Sequence, residues 1–137
     1  MSKETDVRWG WLKFMYIYTI VVAGGFGLGI LFVPNIMTLV FGWPVEEPIA
    51  LGIAGSAYLA FGVLSIFGLR APLKFVPVLA LQLCYKSIWF LGVILPLVVT
   101  GRYPSYAAVA VVLFASFIIG DLIAIPFPYL FSKQMGQ

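Results

Sequence analysis

The sequence predicts an all-α integral membrane protein: a four-helix bundle with both termini cytoplasmic and a short interfacial helix in the first outer loop. Three observations predict it. Of 137 residues, 63% are hydrophobic and only 9% are charged, against about half and about a quarter in a soluble domain. All but two of the charges fall outside four apolar stretches, each long enough for the roughly 20 helical residues that cross a hydrocarbon core of about 30 Å. No alternating stretch of about ten residues, the mark of a membrane β-strand, is visible. The spans lie near residues 12–33, 48–69, 75–99 and 105–131, and residues 1–137 read as one transmembrane domain.

The same composition excludes classes of chemistry. With no histidine, histidine-ligated zinc, axial-histidine haem and Ser-His-Asp hydrolysis are ruled out. The single Cys84 rules out an internal disulfide, a CxxC pair and a four-cysteine metal site. A small buried apolar residue is the expectation for it. No cofactor, metal or nucleic-acid partner is implied, and an enzyme is not expected.

The first span follows Lys3, Arg8 and Lys13. Its apolar run is too long for a signal peptide and no small-x-small cleavage site follows, so it reads as a retained helix. Gly24, Gly25, Gly27 and Gly29 crowd it, with Gly25 and Gly29 in GxxxG spacing. Small residues let helix backbones approach closely in lipid. Gly25 and Gly29, with Gly52 and Gly55 of the second span, are therefore the candidates for helix packing, within or between subunits. In the outer loop, residues 34–42 predict a short helix capped by Asn35 and ended by Gly42, with Ile36, Leu39 and Val40 on one face. Trp43, Pro44 and the acidic pair Glu46 and Glu47 lead to Pro48, which opens the second span.

Lysines and arginines set orientation. The N-terminal tail carries three, the loop after the second span carries Arg70 and Lys74, and the C-terminal tail carries Lys133; on the other side stands only Arg102. Six against one predicts that both termini are cytoplasmic. Trp9, Trp11 and Tyr16 at one end, and Trp43, Tyr103 and Tyr106 at the other, suit the two interfaces; Tyr129 falls near the inner end of the fourth span.

Two charges remain inside the spans, Lys86 and Asp121. Each is costly in hydrocarbon unless paired or wetted. Counted from the outer ends of their helices, they lie about 20 Å and about 24 Å deep at 1.5 Å per residue. The short loop between the third and fourth spans makes those helices neighbours. A Lys86–Asp121 ion pair is therefore expected. Gln82, one turn before Lys86, shares its face and can satisfy a spare donor or acceptor. Trp89 offers the ammonium a cation–π face, while Tyr85 points elsewhere. The pair either locks two helices together or holds an ion, a proton or a polar head group. In the fourth span Pro126 is expected to kink the helix and free a carbonyl beside Asp121; Pro96 acts likewise in the third.

The first-span glycines followed by Pro34 and the capped outer segment, the glycine-rich second span, and the short four-span length together resemble small bacterial membrane proteins of the DoxX-like type. The likeness covers most of the chain. The segments YKSIW at 85–89 and GDLIAIP at 120–126 look like signatures of an uncharacterised subgroup. The resemblance implies a helical bundle, in some members a membrane subunit of an oxidoreductase or redox-defence assembly, and carries over no catalytic residue. The chain differs from the four-helix small multidrug resistance transporters in having no carboxylate in its first helix.

The function expected is that of a small, non-enzymatic membrane subunit or helper acting through the bilayer and other membrane helices, in a homo-oligomer or a hetero-complex. Two alternatives stand beside it. One is an oligomeric transporter or channel with Lys86 and Asp121 as its coupling site. The other is a lipid- or quinone-binding subunit of an oxidoreductase.

Overall fold

The computed structural model describes residues 7–41 and 48–131. The readings that rest on Lys3, Gly42, Trp43, Pro44, Glu46, Glu47 and Lys133 lie outside these residues. Among the described residues there is no strand, and four helices are long and apolar enough to cross a membrane. They are α1 (Trp9–Phe32), α3 (Pro48–Arg70), α4 (Val76–Val99) and α5 (Ser105–Ala124). Two short helices join them, α2 (Pro34–Phe41) and α6 (Phe127–Leu130).

Proline places several boundaries. Pro34 itself opens α2, because a missing N–H costs nothing in a first turn. The expected cap, Asn35, is thus inside the helix, and the break falls at Val33 (φ −136°, ψ 56°). Ile36, Leu39 and Val40 are exposed together on α2, as expected. The fourth span does not continue through a kink to residue 131. The residue before a proline is driven to extended backbone. Ile125 adopts φ −70° and ψ 124° before Pro126, so α5 stops at Ala124. Asp121 consequently sits in the last turn of its helix rather than near its middle.

The end of α4 needs glycine. Gly101 has φ +72°, its N–H bonds the carbonyl of Val98, and the N–H of Arg102 bonds that of Leu97. This is a Schellman cap, in which the left-handed position falls to a residue without Cβ.

Two helices contain a π-helical turn, Thr19–Ala23 in α1 and Phe90–Ile94 in α4. The second stands just before Pro96, which withdraws a donor from the ladder. Each π turn inserts a residue and rotates the face that follows.

α1 crosses α3 backbone to backbone. A Cβ on Gly27 would stand 2.5 Å from the Leu59 nitrogen and 2.7 Å from the Gly55 carbonyl oxygen; one on Gly62 would stand 2.9 Å from Gly24 Cα. Of the four candidates for packing, Gly55 meets Ile30 in this crossing and Gly29 meets Met37 of α2. Gly25 and Gly52 have open space beside them.

Hydrogen bonds define one end of the molecule. Tyr16 donates to the Pro72 carbonyl (2.6 Å) in the turn between α3 and α4, and Arg8 donates to the Ile123 carbonyl (2.8 Å) near the end of α5. The start of α1, the α3–α4 turn and the end of α5 therefore share a level, here called the tail end. The apolar side chains buried most completely lie toward it: Leu12, Met15, Tyr16, Val76, Leu79 and Phe117. Tyr16, expected at an interface, is inside, its ring filling the space left by Gly68. Trp9 and Trp11 are exposed, as an interfacial belt requires. Cys84, expected inside, is exposed, because the inward face of α4 is Leu79, Gln82 and Lys86.

Gly27→Val should lower stability by about 1–3 kcal/mol, since its added atoms meet backbone that cannot move aside, while Gly25→Ala should cost little. Unfolding of the two variants in mixed detergent micelles, followed by circular dichroism, checks the contrast.

Candidate functional site

The inward face of α4 carries Gln82 and Lys86 four residues apart, so their side chains meet along one helix. The Lys86 ammonium donates to Gln82 Oε1 (3.0 Å), Gln82 Nε2 donates to Thr19 Oγ1 (3.1 Å), and Thr19 Oγ1 donates to the Met15 carbonyl of its own helix (2.7 Å). All three side chains are buried. The relay satisfies both ends of the Gln82 amide and ties α4 to α1. Membrane-buried polar side chains are held this way, by partners from neighbouring helices.

Aromatic rings take most of the remaining surface of the ammonium. Its nitrogen lies 3.6 Å from the centre of the Phe117 ring and 5.1 Å from the centres of Tyr85 and Phe114. Tyr85 therefore does not point elsewhere. Its ring stacks on Phe61, with centres 5.4 Å apart, and faces the cation. Trp89 is not over the cation; it packs on Phe114, with ring centres 4.7 Å apart.

The expected Lys86–Asp121 ion pair is not formed. Both carboxylate oxygens of Asp121 are buried and have no hydrogen-bond partner. The reason is steric and local. Phe117 stands one turn before Asp121 on the same face of α5 and takes the ammonium, while Gln82 holds it toward α1. Asp121 is left in the last turn of α5, where the helix dipole disfavours negative charge. Arg8 brings a positive charge to that turn by capping the Ile123 carbonyl. One of the carbonyls before Pro126 thus has a cation from the chain itself.

A cavity of about 160 Å³ reaches Lys86 from the other half of the molecule. Its walls include Ala23 and Phe26 of α1, Tyr58 of α3, and Ala110, Phe114 and Phe117 of α5. Among the described residues Lys86 is the one charged residue in its lining, and the cavity is partly open. No family model matches the chain, and neither a characterised protein nor a solved structure does.

Of the four candidate site residues, the structure joins Lys86 to Gln82, sets Trp89 behind Phe114, and separates Asp121. Sequence reasoning missed Thr19, Phe114 and Phe117. The phenylalanines had a signal: they precede Asp121 by seven and four residues and so share its face. Thr19 had none, since no spacing links it to Gln82 across 63 residues.

Gln82→Leu should destabilise the fold by about 1–3 kcal/mol, because it strips the buried ammonium of its acceptor. Thr19→Val should cost less, since only a neutral bond is lost. Arg8→Ala should cost about 1 kcal/mol through the lost helix-end contact. Unfolding in sodium dodecyl sulfate–detergent mixtures ranks the three.

Proposed function

We propose that the chain is a small, non-enzymatic subunit or helper of a bacterial inner membrane, a four-helix bundle with both termini in the cytoplasm, akin to the DoxX-like proteins. The gathering of the α1 start, the α3–α4 turn and the α5 end at one level supports this orientation, because it sets Arg8, Arg70 and Lys74 on one side and Arg102 on the other. Gly25 and Gly52, with open space beside them, suit close approach of a partner helix.

One observation carries the role of the site. The Lys86 ammonium is buried at the wall of a cavity and touches no carboxylate among the described residues. A pair that merely locked α4 to α5 would be in contact. The arrangement fits a subunit that holds a ligand between its helices, with Lys86 as the polar anchor and the aromatic rings as the wall.

The unpartnered Asp121 favours a second reading, in which an oligomer moves ions or protons and uses Lys86 and Asp121 as separate stations. Proton entry into proteoliposomes, read with an enclosed pH-sensitive dye, separates the two. The subunit reading expects no flux above that of empty vesicles, and a partner membrane protein that is retained in mild detergent and lost in Gly25→Leu. Flux that collapses in Lys86→Ala or Asp121→Asn would establish the transporter instead.

A further inference from the structure

We propose that the cavity ending on Lys86 binds an anionic single-chain amphiphile, its acidic oxygen head on the ammonium and its apolar chain along the aromatic wall. The proposal rests on the reading of the chain as a ligand-holding subunit and names the ligand class.

Charge comes first. Among the described residues Lys86 is the one charged residue lining the cavity, and the nearest acceptor is the neutral Gln82 oxygen. A lysine ammonium has three donors, and only Gln82 is an acceptor for it; ring faces stabilise a cation but accept no full hydrogen bond. Asp121 acts on the ammonium across space but makes no contact with it, and a buried charge without a contacting counter-charge is expensive. A ligand that brings a negative oxygen to this point supplies both a contacting charge and a further acceptor. A neutral head supplies only the second.

Shape and polarity fix the rest of the ligand. Beyond Lys86 the walls are apolar, from Ala23 and Phe26 to Ala110 and Phe114, with the ring of Tyr58 beside them. A space of about 150 Å³ takes a benzene-sized group, so a cavity of about 160 Å³ takes a head and the first few methylenes of one chain. Two acyl chains do not fit. Because the cavity is partly open, the remainder of a long chain can leave between the helices into the bilayer. The acidic head can be a carboxylate, as in a fatty acid, or a phosphate, as in a lysophospholipid. Both present the same anionic oxygens.

Native mass spectrometry of the full chain, released from detergent micelles, tests this with four chains of equal length: oleate, oleoyl lysophosphatidic acid, oleoyl lysophosphatidylcholine and oleyl alcohol. At least one of the two acids should bind about tenfold or more tightly than oleyl alcohol, and the stronger of the two identifies the head. Lys86→Met should abolish that preference. Ala110→Phe, which leaves Lys86 intact but fills the cavity, should abolish binding altogether, with circular dichroism reporting that the variant is folded. Equal binding of oleyl alcohol and the acids by the unmodified chain would overturn the proposal, as would binding of neither acid or full binding by Ala110→Phe. The proton-flux assay keeps the outcomes apart: failure of both acids without flux removes the ligand class alone, whereas flux removes the subunit reading beneath it.

Discussion

A single ammonium with a single acceptor organises the centre of this molecule. Hydrocarbon offers the Lys86 side chain no acceptor, and the side chains that hold it, directly or through Gln82, come from three helices. Gln82 serves it from the same helix, Thr19 steadies Gln82 from α1, and Phe117 covers it from α5. Three helices are fixed relative to one another by the needs of one charge. The fourth, α3, joins by other means, through glycines that let its backbone lie against that of α1. Polar attachment on one side of α1 and close backbone contact on the other make that first helix the common member of both contacts.

The two halves of the molecule differ in consequence. Toward the tail end, Leu12, Met15, Tyr16 and Leu79 fill the interior, and Tyr16 reaches the α3–α4 turn. Toward the other end the helices separate around the cavity, with Lys86 and Phe117 at the boundary. Dispersion and shape hold the first half. In the second half Tyr58 of α3 and Phe114 of α5 meet edge to face beside the cavity, with ring centres 6.5 Å apart.

Much of this was legible in the sequence, and the failures have physical causes. The four spans, the absence of strands among the described residues, the short outer helix and the inward setting of Gln82, Lys86 and Asp121 follow from hydropathy, charge placement and helical spacing. The glycine face of α1 did not. A face carried forward from Leu12, Met15 and Thr19 at 3.6 residues per turn reaches Phe26, but the π turn at Thr19–Ala23 inserts one residue and brings Gly27 inward instead. The ion pair failed for another reason. Matching depth on neighbouring helices does not make a pair when Gln82 and Phe117 stand nearer to the ammonium. Pro126 was visible, but whether a proline kinks a helix or ends it depends on the backbone before it, and Ile125 is extended.

The bond from Arg8 to Ile123 spans 115 residues. Its two partners lie just before the first long helix and in the last turn of the fourth, so it forms only once every span is in place. During synthesis the earlier helices can insert and begin to pair in order. The start of α1 meets this partner only after the end of α5 has been made, so the contact between the first span and the fourth depends on the whole length of chain between them.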